Sequence, residues 1–185
     1  MNASTQTDEA VLARSRMWLE RAVIGLNLCP FAKSVHVKGQ IRWVLSRATE
    51  PQEVLSVLAA ELQHLAEVDA QQTDTTLIVL PDALADFLDF NDFLDLADAL
   101  LEDLDLDGVL QIANFHPEFQ FAGTSADDPS NNTNRSPWPT LHLIREASID
   151  RAVEVFPDAE LIYERNIALM HELGAQGWAR LFEPE

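Results

Sequence analysis

The stretch Thr75-Thr76-Leu77-Ile78-Val79-Leu80-Pro81 (TTLIVLP) decides the fold. A strand-length run of β-branched and apolar residues, closed by a proline that cannot donate to a ladder, predicts a central strand buried on both faces. Upstream, Val54, Leu55, Leu58, Leu62 and Leu65 form a helical stripe, entered through Thr49 as cap and Pro51 in the first turn and running to about Val68. Downstream, Leu84, Phe87, Leu88, Phe93, Leu94, Ala97, Leu101 and Leu104 predict an amphipathic helix with Asp86, Asp89, Asp92, Asp95 and Asp98 on its outer face. Val109 to Phe115 (VLQIANF) then reads as a second central strand. Further strands are expected at Ile41 to Ser46 and Thr140 to Arg145, with a short one at Val35 to Val37 as an option. A long helix opens the chain from Glu9 to Leu28; at the other end Ser148 caps a helix from Ile149 to Val155, and a last helix runs from about Asp158 to Leu173, interrupted by Gly174 and Gly177. Helices between successive strands predict parallel neighbours, whereas the loop before the last strand permits an antiparallel pair. The expectation is an α/β or α+β single domain over residues 1–185, with 1–8 disordered, built on a mixed sheet of about four to five strands packed with helices.

Charge narrows the partners. The 185 residues carry 31 Asp and Glu against 12 Lys and Arg, a net charge of −19. No Lys or Arg occurs between Arg47 and Arg135, an interval that holds 19 acids, so the surplus lies in the middle of the chain. A field of this sign repels nucleic acid and anionic lipid, and neither is expected as a partner. One cysteine, Cys29, excludes an intrachain disulfide framework; together with a start that lacks a signal-peptide pattern, it implies a cytoplasmic protein. No apolar run reaches membrane-spanning length.

The candidate chemistry gathers after the second central strand. Asn114, Phe115, His116, Pro117 and Glu118 stand where the chain leaves the sheet, the usual place for a ligand crevice in open α/β sheets. His116 suits a general base or a metal ligand, or alternatively a loop histidine that orders the turn with Asn114. The segment from Glu118 to Pro139 has no periodicity and exceeds the usual loop length, which marks it as functional or disordered. Within it Arg135, beside Asn134, ends the base-free interval; it is either paired with Asp127 or Asp128 or reserved for an anion. Arg145 is a second candidate anion contact, and His142 reads as a satisfied sheet residue.

Cys29, in Asn27-Leu28-Cys29-Pro30-Phe31-Ala32, has two readings. At the C-terminus of the first helix it is a small apolar filler, because the dipole there opposes a thiolate; if Pro30 opens a new turn, free backbone N–H groups favour one. The run Asp103 to Gly108 copies half of a calcium loop but lacks its closing glutamate. The set His116, Glu118, Asp127 and Asp128 has metal-ligand types without metal-ligand spacing, so no metal is assigned and the cofactor stays unknown. Dinucleotide, P-loop and serine-hydrolase motifs are absent from the sequence.

The blocks Gly25 to Ala32 (GLNLCPFA), Gln111 to Thr124 (QIANFHPEFQFAGT) and Asn131 to Glu146 (NNTNRSPWPTLHLIRE) resemble the bacterial family known as domain of unknown function 1415, over nearly the whole chain. The resemblance supplies no activity. It implies a grouping of Cys29, Asn114, His116, Asn134, Arg135 and Arg145, and a shared pocket for Cys29 and His116. The resulting expectation is a small cytoplasmic enzyme of hydrolase or transferase type acting on a small anionic metabolite. Asn114, Asn134, Arg135 and Arg145 would bind the anion, His116 would move a proton, and Cys29 would serve as nucleophile or as a pocket wall. The alternative is a non-catalytic metabolite-binding or protein-interaction domain.

Overall fold

The computed structural model describes residues 6–155 and 159–183. Among them, β1 (Ile41–Leu45), β2 (Thr75–Val79), β3 (Leu110–Phe115) and β4 (Thr140–Arg145) form a mixed sheet in the order β1-β2-β4-β3. The helices are α1 (Asp8–Trp18), which continues as a π-helix over Leu19–Ile24, then α2 (Ala32–Val37), α3 (Pro51–Glu67), α4 (Phe87–Asp103), α5 (Glu146–Val155) and α6 (Ala159–Arg180), with a 3-10 turn at Pro129–Asn134. The fold is α+β. β2 is buried at every position, as its composition predicts, and pairs parallel with β1 through the α3 crossover, but β4 enters antiparallel between β2 and β3. The strands β2 and β3 therefore point the same way without touching, because the long loop after β3 returns the chain into the gap between them.

Side-chain alternation gives the sheet two covered faces. On one, Ile78, Leu110, Leu141 and Leu143 meet Val54, Leu58, Leu62 and Leu65 of α3 and Phe90, Phe93, Ala97 and Leu101 of α4. Truncating any of the fully buried leucines here to alanine costs about 2–5 kcal/mol. On the other face, Ile41, Trp43 and Phe115 pack with Trp18, Leu19, Ala22 and Val23 and with Trp178, Leu181 and Phe182 from the C-terminal end.

Local chemistry sets the boundaries. Glu50 rather than Thr49 is the N-cap of α3, because the Glu53 carboxylate reaches back to accept from both backbone N–H groups. Asp86 caps α4 by accepting from Leu88 and Asp89. The optional strand at Val35 to Val37 is instead α2, since Gly39 (φ 68°) turns the chain directly into β1. Ser148 lies inside α5 and donates to Asp74 instead of capping. Within α6 the break expected at Gly174 is present (φ 61°, ψ 179°), while Gly177 stays helical. Of the residues expected to lie outside the fold, 1–5 are not among the described residues; Thr7 caps α1 and Asp8 pairs with Arg47 at 2.8 Å, so those two belong to it.

The register Leu45–Val79–Thr140–Phe115 brings the C-terminal ends of β1, β2 and β3 to one edge with the start of β4. The candidate site lies at that edge.

Candidate functional site

His116, the first residue after β3, is fully buried. Its Nε2 donates to the Leu84 carbonyl at 3.0 Å, and its Nδ1 accepts from the Glu118 backbone N–H at 3.0 Å, which defines a neutral ring with both nitrogens engaged. The rings of Phe87 and Phe90 stand 5.2 and 5.0 Å from it. Burial pushes its pKa below the ordinary histidine range, with the Leu84 bond as a partial counterweight. His116 thus ties the loop to the start of α4 and orders the turn into Glu118.

The loop that follows is stitched to itself. Asn131, fully buried, accepts at Oδ1 from the Phe121 N–H and the Thr124 hydroxyl and donates from Nδ2 to the Ser125 carbonyl. Arg135 donates from Nε to the Phe119 carbonyl (3.1 Å), from Nη2 to the Ala126 carbonyl (2.7 Å) and from Nη1 to Asn132 Oδ1 (3.5 Å). Among the described residues it has no carboxylate partner, so the expected pairing with Asp127 or Asp128 is not formed. Asp127 is instead held below the usual carboxylate range by the Ser125 hydroxyl, and Asp128 by the hydroxyl and backbone N–H of Ser130.

Cys29 follows the π-helix. That helix ends where Gly25 packs so closely that a Cβ would lie 2.3 Å from the Arg21 carbonyl oxygen, and Asn27 then turns the chain at φ 53°. The Cys29 carbonyl accepts from Ala32 N–H, so Pro30 does open a turn, and α2 follows at Ala32. The partly exposed thiol lines a cavity of about 270 Å³ with Val23, Leu28, Phe115, Phe121, Thr133, Asn134, Tyr163 and Asn166. Arg165 donates to the Asn27 carbonyl and Asn166 to that of Leu28 (2.9 Å), so α6 fixes this wall.

Cys29 and His116 do not share the cavity. Phe115 and His116 are consecutive, so they point to opposite sides of the extended chain; Phe115 takes the cysteine side and His116 the α4 side. Asn114 has the parity of Leu110 and Ile112 and lies toward the α3–α4 face, its Oδ1 buried without a hydrogen-bond partner among the described residues. Arg145 sits at the far end of β4, about 17 Å of strand from Thr140, where Nη2 donates to the carbonyls of Val68 (2.7 Å) and Thr73 (3.0 Å). Of the grouped residues, Cys29 and Asn134 meet in one cavity, Arg135 lines a neighbouring cleft, and Asn114, His116 and Arg145 stand apart.

That cleft, about 490 Å³, is lined by Arg14 and Trp18 of α1, by Pro117, Asp127, Asp128, Asn132 and Arg135 of the loop, and by Ala175, Trp178 and Phe182 after the break at Gly174. Arg14 comes four residues before the buried Trp18 and so follows it onto the cleft side of the helix. It is exposed and has no hydrogen bond or ion pair among the described residues. Other arginines do find carboxylates: Arg42 holds Glu61 through two bonds of 2.7 and 3.1 Å, and Arg47 bridges Asp8 and Asp82. Arg14, Trp178 and Asn166 escape sequence reasoning because they come from the two ends of the chain. The only available signal was the helical spacing of Arg14 to Trp18.

Among the described residues, no group of three or more His, Cys, Asp or Glu side chains is placed to hold a metal ion. Among the same residues no helix is long and apolar enough to cross a membrane. A model of the family described as a protein of unknown function, DUF1415, matches residues 10–180. The chain belongs to that family. The match runs from α1 through α6, so cleft and cavity both fall within the shared DUF1415 region. No match was found among curated proteins or among solved structures.

Proposed function

We propose that this DUF1415 protein binds a small anionic metabolite in the cleft lined by Arg14 and Arg135. One observation supports the reading: two arginines line the same cleft without a carboxylate partner among the described residues, in a chain of net charge −19. The two guanidinium groups face one space, where they can act together on a bound anion. Arg135 is held in place by the carbonyls it bonds, and of the five N–H donors of a guanidinium three are engaged and two remain. A fixed guanidinium fork and a free one suit carboxylate or phosphate.

The reading is one of recognition. Hydrolase or transferase chemistry needs a proton carrier beside the nucleophile, and His116 has both nitrogens engaged on the far side of β3 from Cys29. The non-catalytic alternative is therefore favoured. A cytoplasmic setting is proposed because a lone cysteine suits a reducing compartment, and the acidic balance argues against nucleic acid or anionic membrane as partner.

Calorimetric titration and thermal shift at low ionic strength, with a panel of carboxylate and phosphate metabolites and their uncharged analogues, test the proposal. At least one anion should bind, and Arg14→Gln should weaken the binding with its own melting temperature unchanged, since Arg14 is exposed and has no hydrogen bond or ion pair among the described residues. Absence of any anion binding, or undiminished affinity in Arg14→Gln, refutes it.

A further inference from the structure

We infer that the anionic group recognised in this cleft belongs to an ampholyte of the free amino acid class, a small molecule bearing a carboxylate and a protonated amine on an apolar body. The inference rests on the anion-binding reading above and adds the second charge. Asp127 and Asp128 line the same cleft as Arg14 and Arg135, yet none of the four is paired with another. The Oδ1 of Asp127 accepts from the Ser125 hydroxyl at 2.6 Å, and the Oδ1 of Asp128 from the Ser130 hydroxyl at 2.7 Å and its N–H at 2.9 Å. Each Oδ2 is without a hydrogen bond among the described residues. The cleft thus presents two separated charges of each sign and a formal sum of zero.

A ligand carrying only an anion would sit on the arginines beside two carboxylates, and at low ionic strength these like charges oppose it. A ligand carrying only a cation meets the converse problem. One with both charges satisfies both pairs. The remaining walls, Trp18, Trp178 and Phe182, are aromatic and give an apolar body a surface to cover, and about 490 Å³ is a small-molecule volume. Among the described residues His171 also faces the acids, its Nε2 3.6 Å from Asp128 Oδ1, and the titrations are repeated in His171→Gln to separate this ring from the ligand's amine.

The full chain is titrated calorimetrically with the common free amino acids, their N-acetyl forms and their C-terminal amides. At least one free amino acid should bind about tenfold or more tightly than both its acetylated and amidated forms. The double substitution Asp127→Asn with Asp128→Asn should erase the preference for the free over the acetylated form; asparagine keeps the Oδ1 acceptor that caps the 3-10 turn, so the fold persists. Arg14→Gln should weaken free and acetylated forms alike. Acetylated forms that bind as tightly as free ones overturn the ampholyte inference and leave the anion site standing. If no free amino acid binds, the inference also fails, and the metabolite panel decides separately whether the anion site survives.

Discussion

Acidification should weaken this fold through His142. Thr75 has a single hydroxyl proton, and it goes to the Leu143 carbonyl at 2.6 Å; the same oxygen must therefore accept from His142 Nε2–H at 2.7 Å, which makes the ring a donor without a positive charge. Burial pushes the pKa of His142 down to about 4, and among the described residues no carboxylate is paired with the ring to offset it. In the unfolded chain the residue titrates near the ordinary value of about 6.5. Below that value the unfolded state takes up a proton that the folded state refuses. Stability is fully present above about pH 6.5 and falls as pH drops toward 4. Between pH 7.5 and pH 5 the loss is about 1.5 pKa units, or about 2 kcal/mol at 1.36 kcal/mol per unit. Staying at pH 5 avoids precipitation near the sequence pI of about 4.4. Urea unfolding of the native chain and of His142→Gln, which keeps an N–H donor for Thr75 but cannot titrate, isolates this residue from His116, whose lowered pKa acts in the same direction in both proteins. The native chain should lose about 2 kcal/mol more than the variant over that interval. Parallel pH profiles would refute the reasoning.

His116→Ala should cost about 3–5 kcal/mol by urea unfolding, because it opens a hole between Phe87 and Phe90 and leaves the Leu84 carbonyl and Glu118 N–H unpaired; a near-neutral variant would contradict the structural role. Arg135→Ala should destabilise by about 1–3 kcal/mol and speed amide exchange across 119–132, since the carbonyls of Phe119 and Ala126 lose their donor. Unchanged exchange there would show that the loop holds without it. Gly174→Ala places a Cβ at φ 61°, ψ 179°, a conformation open essentially to glycine alone; it should cost about 1–3 kcal/mol and loosen Trp178, read by melting temperature and tryptophan fluorescence. An unshifted melting temperature would mean that the break is not held.

The strands were legible because burial on a sheet leaves a local trace. TTLIVL, VLQIANF and TLHLIR each declared themselves through apolar content and bounding breakers, and each forms a strand within a residue of the expected limits. The insertion of β4 between β2 and β3 left no such trace, since it depends on where a long loop sends the chain. Thr49 and Val35 to Val37 differ from expectation for local reasons: the Glu53 carboxylate accepts from the backbone N–H groups of both Thr49 and Glu50, which places the cap at Glu50, and Gly39 turns the chain out of α2 directly into β1. The loop after β3 offered polar residues in plenty, but not which of them fold inward: Asn131 organises it, yet it is of the same type as the adjacent Asn132, and His116, conspicuous after the strand, turns to the α4 side.

Grouping by sequence block also conceals strand parity. Asn114, Phe115 and His116 form a single motif when read along the chain, yet the pleat sends Phe115 to the Cys29 cavity and its neighbours to the α3–α4 side. Proximity in sequence within a strand is therefore evidence against sharing a pocket at odd spacings, whereas Arg145 is kept apart by distance along β4 rather than by parity. Charge behaves differently. The base-free interval ending at Arg135 pointed to an informative arginine without regard to geometry, and the structure adds a second, Arg14, from the opposite end of the chain to the same cleft. In a protein with 31 acids, what singles out this site is that two cations line one cleft beside acids with which neither is paired. Arg135 is kept from the nearby acids by the carbonyls of Phe119 and Ala126, and those acids are kept from it by Ser125 and Ser130. The two sets of bonds together hold the opposite charges of the cleft apart.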